Sequence, residues 1–439
     1  MHATSSDYLV VGSGLAALSF AALMAKSGKG VRVVEAHTLP GGYGHTFAAG
    51  DYKFNAQLHY VWNCGEGRTV NRVLKKLGVE REVTFVEYDR NGFDHMRMPG
   101  YALDIPGDQN LLKQRLRDLF PLHRAATDGF LDEVWATADE LDNLPSAMNV
   151  RTMIRRVHRL TRVLRYRKAT LQDVFDRFEV PPPAQTLLAL QWPDFLLPPA
   201  KLSFFAWVML FVGYTRGAYY PTKHFEHVID TLVATIVDNG GEVVFGQQIV
   251  EFKLEAGRMV GARAEVINER GEGIGEFHNY AAGEVVCNMD PRQAAEMIGL
   301  SRFSKQVRRK LDYDYSHSNF MAYCAVKGVD LREHGFGRHN LFHTDEPDLN
   351  RAFHAMERLG DYSRPSFAMT TPSLLTDAPG DCPEGTQLVE LLTVADFDRF
   401  RHLRFANMRA YHDKKREIFD AIVGVIEREY VPNFREHIC

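Results

Sequence analysis

A short apolar run at residues 7–11 (DYLVV) passes into GSGLAALSFAALMAKSGKG and then into VRVVEA. In order these read strand, tight turn, helix, turn and strand, with Gly28 placed to stop the helix. Between Tyr43 and Tyr60 turn and strand signals alternate: HTF, then Gly50-Asp51, then YKFNAQLHY, the pattern of a hairpin. From about residue 83 to 214 the glycine turns disappear, and helix-like segments rich in Leu, Phe and Arg take over. Helical spacing is clear again at Phe225, Val228, Ile229, Leu232 and Ile236, where Asn239-Gly240-Gly241 ends the helix before a pair of strands.

Two stretches of the middle region carry their own pattern. Residues 151–168 (RTMIRRVHRLTRVLRYRK) put Met153, Ile154, Val157, Leu160, Val163 and Leu164 on one side and cations on the other. Such a basic amphipathic helix either packs with a solvated outer face, lies on an anionic bilayer surface, or meets an acidic partner. Only Tyr166 interleaves with its arginines, so base stacking has no support and no nucleic-acid partner is expected. Residues 194–214 (DFLLPPAKLSFFAWVMLFVGY) hold an apolar run shorter than the roughly 20 residues that span a bilayer. Pro198, Pro199 and Lys201 break the longer window. The run predicts a core helix with Phe204, Phe205, Trp207 and Phe211 buried, or the wall or membrane-facing mouth of a tunnel for a long apolar substrate.

Composition bounds this picture. With 439 residues, 45% of them apolar, the chain buries a large core over two or three domains. A net charge of -4 is small for this length, so any basic partner surface is local. Cys64, Cys287, Cys324, Cys382 and Cys439 are far apart and odd in number, which predicts neither a disulfide framework nor a metal site. The start of the chain lacks the basic n-region of a secretory leader. A cytoplasmic protein is expected, with peripheral contact at the inner face of a membrane placed at 151–168 and 195–214. The histidines form no H-E-x-x-H, and GYGHTF has no central Ser for a nucleophile elbow.

The chemistry concentrates near the N-terminus. Gly12 allows the turn, Gly14 lets backbone amides approach a pyrophosphate at the helix N-terminus, and Ala17 fills the third position of G-x-G-x-x-G/A. Glu35, at the end of the second strand, is placed to accept from ribose hydroxyls and disfavours a 2'-phosphate. The predicted contact set here is Gly12, Gly14, Leu15, Ala16, Ala17, Glu35 and Ala36. A second glycine pair, Gly41-Gly42, follows Glu35 closely. A nicotinamide dehydrogenase has no need of it; a chain that turns back along FAD does, because backbone then passes close to the pyrophosphate and ribityl chain.

The order GxGxxA, E, GG, HTF, G, F and HY, strongest over residues 7–62, resembles the FAD-dependent phytoene desaturase, carotenoid isomerase and retinol saturase superfamily within the amine oxidase-like flavoproteins. Residues 219–291, from YYPTKHFEH to VVCNMDP, resemble the second FAD segment of that superfamily, and PEGTQLVELLTVADFDRF resembles a strand of its substrate domain. The resemblance implies a glutathione reductase-type α/β Rossmann domain with an interleaved α+β substrate domain. It divides the chain into FAD-binding parts at 1–82 and 215–300, substrate-domain parts at 83–214 and 301–399, and a C-terminal helical segment at 400–439. It adds Gly41, Gly42, Tyr43, His45, Leu58, His59, Ile249 and Asn288 to the FAD contacts, with His59, Tyr60 and His45, around the flavin hairpin, as candidate catalytic groups. It implies an FAD-dependent oxidoreductase that desaturates, saturates or isomerises carbon-carbon bonds of a polyene such as a carotenoid or retinoid. The rivals are an amine oxidase-like enzyme and a lipid-binding flavoprotein of little activity.

Departures accompany the resemblance. Tyr43 stands where amine oxidase relatives often have Arg, Asn55 where the superfamily usually has Asp, and YPTKHFEH lacks the glycine pair often found after YP. The sequence ends at Cys439 without the Gly-rich segment that usually closes over the flavin, which implies a shortened chain or a less complete hold on FAD.

Overall fold

The computed structural model describes residues 6–144, 160–376 and 380–439. Its first sheet carries the nucleotide-binding pattern. The strands run Glu242–Val244, Val31–Val34, Ser6–Val11, Gly273–Cys287, Arg258–Ile267 and Gln247–Glu255, the first four parallel and the last three antiparallel to their neighbours. Gly273–Cys287 belongs to both parts: Ala282 to Cys287 pair with Ser6 to Val11, while Gly273 to Ala281 pair with Arg258–Ile267.

Helix Leu15–Lys26 closes one face of this sheet. It buries Ala17, Leu18, Ala21, Ala22 and Ala25, and these small side chains let it press against helix His224–Asp238, which buries Phe225, Ile229, Leu232 and Ile236. Asn239 caps that second helix, where the Asn-Gly-Gly signal predicted its end.

The second sheet is assembled from distant segments in the order Ser318–Lys327, Thr386–Ala395, Ser366–Thr370, Asn340–Thr344, Asp94–Met98 and Tyr101–Ile105. Three of its inner strands are buried along nearly their whole length, which is why QLVELLTVA reads as a continuous apolar run instead of an alternating one. Helices Arg124–Asp142, Leu171–Arg177, Pro182–Ala189 and Phe204–Thr215 belong to the same core, in which Phe204, Trp207 and Phe211 are fully buried and Phe205 partly so. The α/β class with an interleaved α+β layer is therefore what the chain adopts.

No helix among the described residues is long and apolar enough to cross a membrane. Of the basic segment at 151–168, residues 151–159 lie outside the described residues. In the remainder, Leu160 and Tyr166 are buried, and Arg162 and Arg165 are ion-paired with Glu133 and Glu140 of helix Arg124–Asp142. These two half-exposed cations are thus paired at the surface, because a helix rich in acids lies beside them.

Candidate functional site

The phosphate turn leaves strand Ser6–Val11 with Gly12 at φ 91, and Gly12 N donates to Val34 O at 2.8 Å. The second glycine pair lies directly on this turn: Gly41 N donates to Ser13 O at 2.9 Å, with Gly41 at φ 112 and Gly42 at φ 57. A Cβ on Gly41 would stand 2.4 Å from Ile229 Cδ1, and one on Gly42 would stand 3.1 Å from Gly14 Cα. Two glycine turns and the helix His224–Asp238 are stacked without room for side chains between them. Gly41-Gly42 therefore has a packing reason as well as the ligand reason expected from the sequence.

Glu35 also does more than the sequence implied. Its Oε2 accepts from Ser13 N at 2.6 Å and Ser13 Oγ at 2.7 Å, and its Oε1 accepts from His37 N at 2.8 Å. The acid holds the phosphate turn in shape whether or not a ribose is present. A carboxylate accepts about four hydrogen bonds, so capacity for ribose hydroxyls remains.

These elements border a cleft of ≈ 1000 Å³ whose lining includes Gly12, Gly14, Glu35, Ala36, Gly42, Tyr43, His45, Ile249 and Asn288. Asn288 N donates to Val11 O at 2.9 Å, and its side-chain amide would lie 3.0 Å from a Cβ on Gly14, so Gly14 keeps the floor open. Tyr43, 85% exposed, stands at the rim, and His45 Nδ1 donates to Gly42 O at 2.7 Å. Gln248, Met289, Gln293 and Met297 also line the cleft and were not singled out in the sequence, since nothing in their local pattern marks a wall.

The other expected residues sit elsewhere. Ala17 is buried between helix and sheet, Ala16 is exposed, and Leu15 packs against Gly44, so the start of this helix can offer the cleft backbone amides but not these side chains. Gly41 lies beneath the turn, and Leu58, His59 and Tyr60 fall outside the lining.

Around His59 the fold gathers a buried polar cluster that the sequence did not reveal. Strand Thr386–Ala395 places Glu390, 1% exposed, behind the hairpin Thr46–Ala49 and Tyr52–Asn55. Glu390 Oε1 accepts from Asn55 N at 2.9 Å; Oε2 accepts from His59 Nδ1 at 2.7 Å and Thr370 Oγ1 at 3.2 Å. Asn55 Nδ2 donates to Tyr220 OH at 3.0 Å, and Thr46 Oγ1 lies 3.1 Å from His224 Nδ1. The one available signal was a lone acid inside an apolar strand, a placement that demands partners. Asn55 also gains a reason: an aspartate there would set a second carboxylate beside Glu390. Asn55 Oδ1, His59 Nε2 and His224 Nε2 are buried with no partner among the described residues.

Tyr60 points into a second cluster. Its hydroxyl lies 3.0 Å from Asp194 Oδ2 and 3.3 Å from Asp94 Oδ2, and its ring stacks on Tyr214 with centroids 3.8 Å apart. Asp94 accepts further from Gln191 Nε2 at 2.5 Å and Asn340 Nδ2 at 2.9 Å. Burial pushes Asp94 up to about 7 and Asp194 up to about 6, although hydrogen bonds pull both back. The Tyr60 phenol is thus committed to two carboxylates in the core, outside the lining of the cleft.

Residues 10–77 match the family described as NAD(P)-binding Rossmann-like domain. Over 270 residues the chain is 27% identical to an all-trans-retinol 13,14-reductase of Rattus norvegicus, a match covering 58% of this chain and 44% of that protein. Over just more than half of its length the chain resembles the all-trans-retinol 13,14-reductases. It spans less than half the length of the curated relatives it matches. Among solved structures, putrescine oxidase bound to putrescine has a TM-score of 0.62 at 14% identity, covering 99% of this chain and 84% of that one. An oxidoreductase from Methanosarcina mazei has a TM-score of 0.58 at 16% identity, covering 94% and 84%. These likenesses are of fold: a Rossmann-type sheet joined to a second, interleaved layer.

Proposed function

We propose that this chain is an FAD-dependent oxidoreductase acting on a carbon-carbon bond of a long apolar polyene of the retinoid or carotenoid kind. The observation that carries the reading is the stacked pair of glycine turns at the open cleft, with Glu35 at the ribose position and Asn288 over Gly14. A dinucleotide fits this floor: the amides behind Gly12 and Gly14 meet a pyrophosphate, and Glu35 retains acceptor capacity. The orphaned atoms of Asn55, His59 and His224 support a polar ring edge nearby, since a buried donor or acceptor left unpaired costs about 1–3 kcal/mol. When bound, the isoalloxazine supplies the hydride chemistry.

The chain's own residues position and enclose. His59 is held by Glu390 through Nδ1, which leaves Nε2 as its free ring atom. The apolar core around Phe204, Trp207 and Phe211 excludes water from the interior of the second layer. Relatedness to enzymes named for reducing retinol favours transfer of hydride to a double bond, with a proton completing the second carbon.

The test loads the protein with FAD, reduces it anaerobically and adds all-trans-retinol or a carotenoid in liposomes. Flavin reoxidation, together with a product of shortened conjugation on chromatography, is expected. Failure to bind flavin, or peroxide release with small amines in place of polyene turnover, overturns the reading.

A further inference from the structure

The C-terminal region carries a surface unlike the rest of the molecule. Helix Phe397–Ala406 and helix Met408–Glu429 enclose, with strand Ser318–Lys327, a groove of ≈ 510 Å³. Its floor is Phe320 and Met321 of that strand, which lies at the edge of the second sheet. On the first helix Phe397, Arg401, Arg404 and Phe405 follow at intervals of three, four or one, so they share a face. Phe397 is 61% exposed and Phe405 82%, and Met408 next to them 50%. Large apolar side chains standing this far out together mark a contact surface.

The charges are as one-sided as the apolar groups. Arg401, Arg404 and Lys415 line the groove, and no carboxylate does. Arg401 and Arg404 form no ion pair among the described residues, whereas Arg399 and Arg409 on the same helices each have an aspartate within reach. Lys415 sits over the Tyr411 ring at 5.5 Å. This concentration occurs on a chain whose net charge is -4, so the groove is complementary to a negative partner that also offers hydrocarbon.

We propose that this groove and its rim are a docking surface for an anionic lipid bilayer. An interfacial helix face needs cations at phosphate level and aromatic or aliphatic groups just below it, and Arg401 and Arg404 beside Phe397 and Phe405 supply that pairing. Of the residues first suspected of membrane contact, Arg162 and Arg165 pair with acids, and Phe204, Trp207 and Phe211 lie in the core. The edge strand beneath the groove and Phe400, which packs on the main core, connect the rim to the apolar interior. The inference rests on surface residues alone, so failure of the redox reading leaves it standing.

The experiment is co-sedimentation of the full chain with vesicles of phosphatidylcholine alone and of phosphatidylcholine mixed with phosphatidylglycerol. Wild type is expected in the pellet with the anionic vesicles and to be released by salt. Arg401→Gln/Arg404→Gln should weaken that binding about 25-fold, at about fivefold for each cation removed from the headgroup layer. Phe397→Ser/Phe405→Ser should abolish it, with melting temperature unchanged because both rings are exposed. Wild type that stays in the supernatant, or binding that neither double variant alters, overturns the proposal. A sizing shift from dimer to monomer in Phe397→Ser/Phe405→Ser without vesicle binding also overturns it, and gives the groove to a second copy of this chain.

Discussion

His59 Nδ1 and Glu390 Oε2 lie 2.7 Å apart across a separation of 331 positions, joining the end of the N-terminal hairpin segment to the middle of the second sheet. The same carboxylate caps Asn55 N, so one acid ties together two layers that the chain builds from distant segments. Glu390→Gln would turn one carboxylate oxygen into an NH₂ facing donors. A loss on the order of 1–3 kcal/mol in urea unfolding is expected. An unchanged midpoint would show that the pair bears no weight in the fold.

The two glycine turns should respond differently to substitution. A side chain at Gly14 meets the amide of Asn288, which can swing away, so Gly14→Val is expected to fold yet fail to retain FAD. Gly42, at φ 57 and with Gly14 Cα 3.1 Å from its absent Cβ, meets backbone that cannot move. Gly42→Val should therefore lose about 1–2 kcal/mol of stability as well as flavin. Absorbance of the purified variants and their thermal melts separate the two outcomes, and stoichiometric flavin in Gly14→Val would contradict the site.

His224 adopts φ 78 while buried, with Thr46 Oγ1 at 3.1 Å from its Nδ1. A non-glycine residue is held there in left-handed geometry. His224→Gly relieves the backbone and His224→Ala does not, so the glycine variant should be the more stable by about 1 kcal/mol in denaturant titrations. Equal stability would mean the backbone there carries no strain.

Asp94 sets a pH dependence whose sign follows from its environment. Its carboxyl, ordinarily near 3.8, stands at about 7 in the folded protein, so the native state holds a proton that the unfolded chain releases. The associated stability is fully present below about 4 and is lost as pH rises through about 7, at about 1.4 kcal/mol per pH unit. Asp194, raised to about 6, acts in the same direction. Relative to Asp94→Asn, which does not titrate, wild type should lose about 3 kcal/mol between pH 5 and pH 8. A difference that stays flat across this range would refute the assignment.

Much of the cleft was legible because its determinants are local. The Gly12-x-Gly14 turn, the alanine-rich helix and the acid after the second strand occupy one continuous stretch, and each residue type answers a backbone or packing demand of its neighbours. What could not be read were contacts between residues far apart in sequence. Nothing near Glu390 announces His59, and nothing near Tyr60 announces Asp94 or Asp194. The helix at 204–215 shows the same limit: its composition required burial, but not whether core, tunnel or membrane would provide it.

The sequence by itself determined the phosphate turn, the class of the first sheet and the burial of the long apolar runs, because hydrophobic period, glycine dihedrals and helix ends depend on residues within a turn or two of one another. Tertiary structure alone decided which acids pair with His59 and Tyr60, that Gly41-Gly42 rests on the first turn, and that the uncompensated cations and exposed rings meet at Phe397 to Lys415. Those outcomes depend on which distant segments the two sheets and their helices bring within contact distance, and short-range forces act only once that has happened.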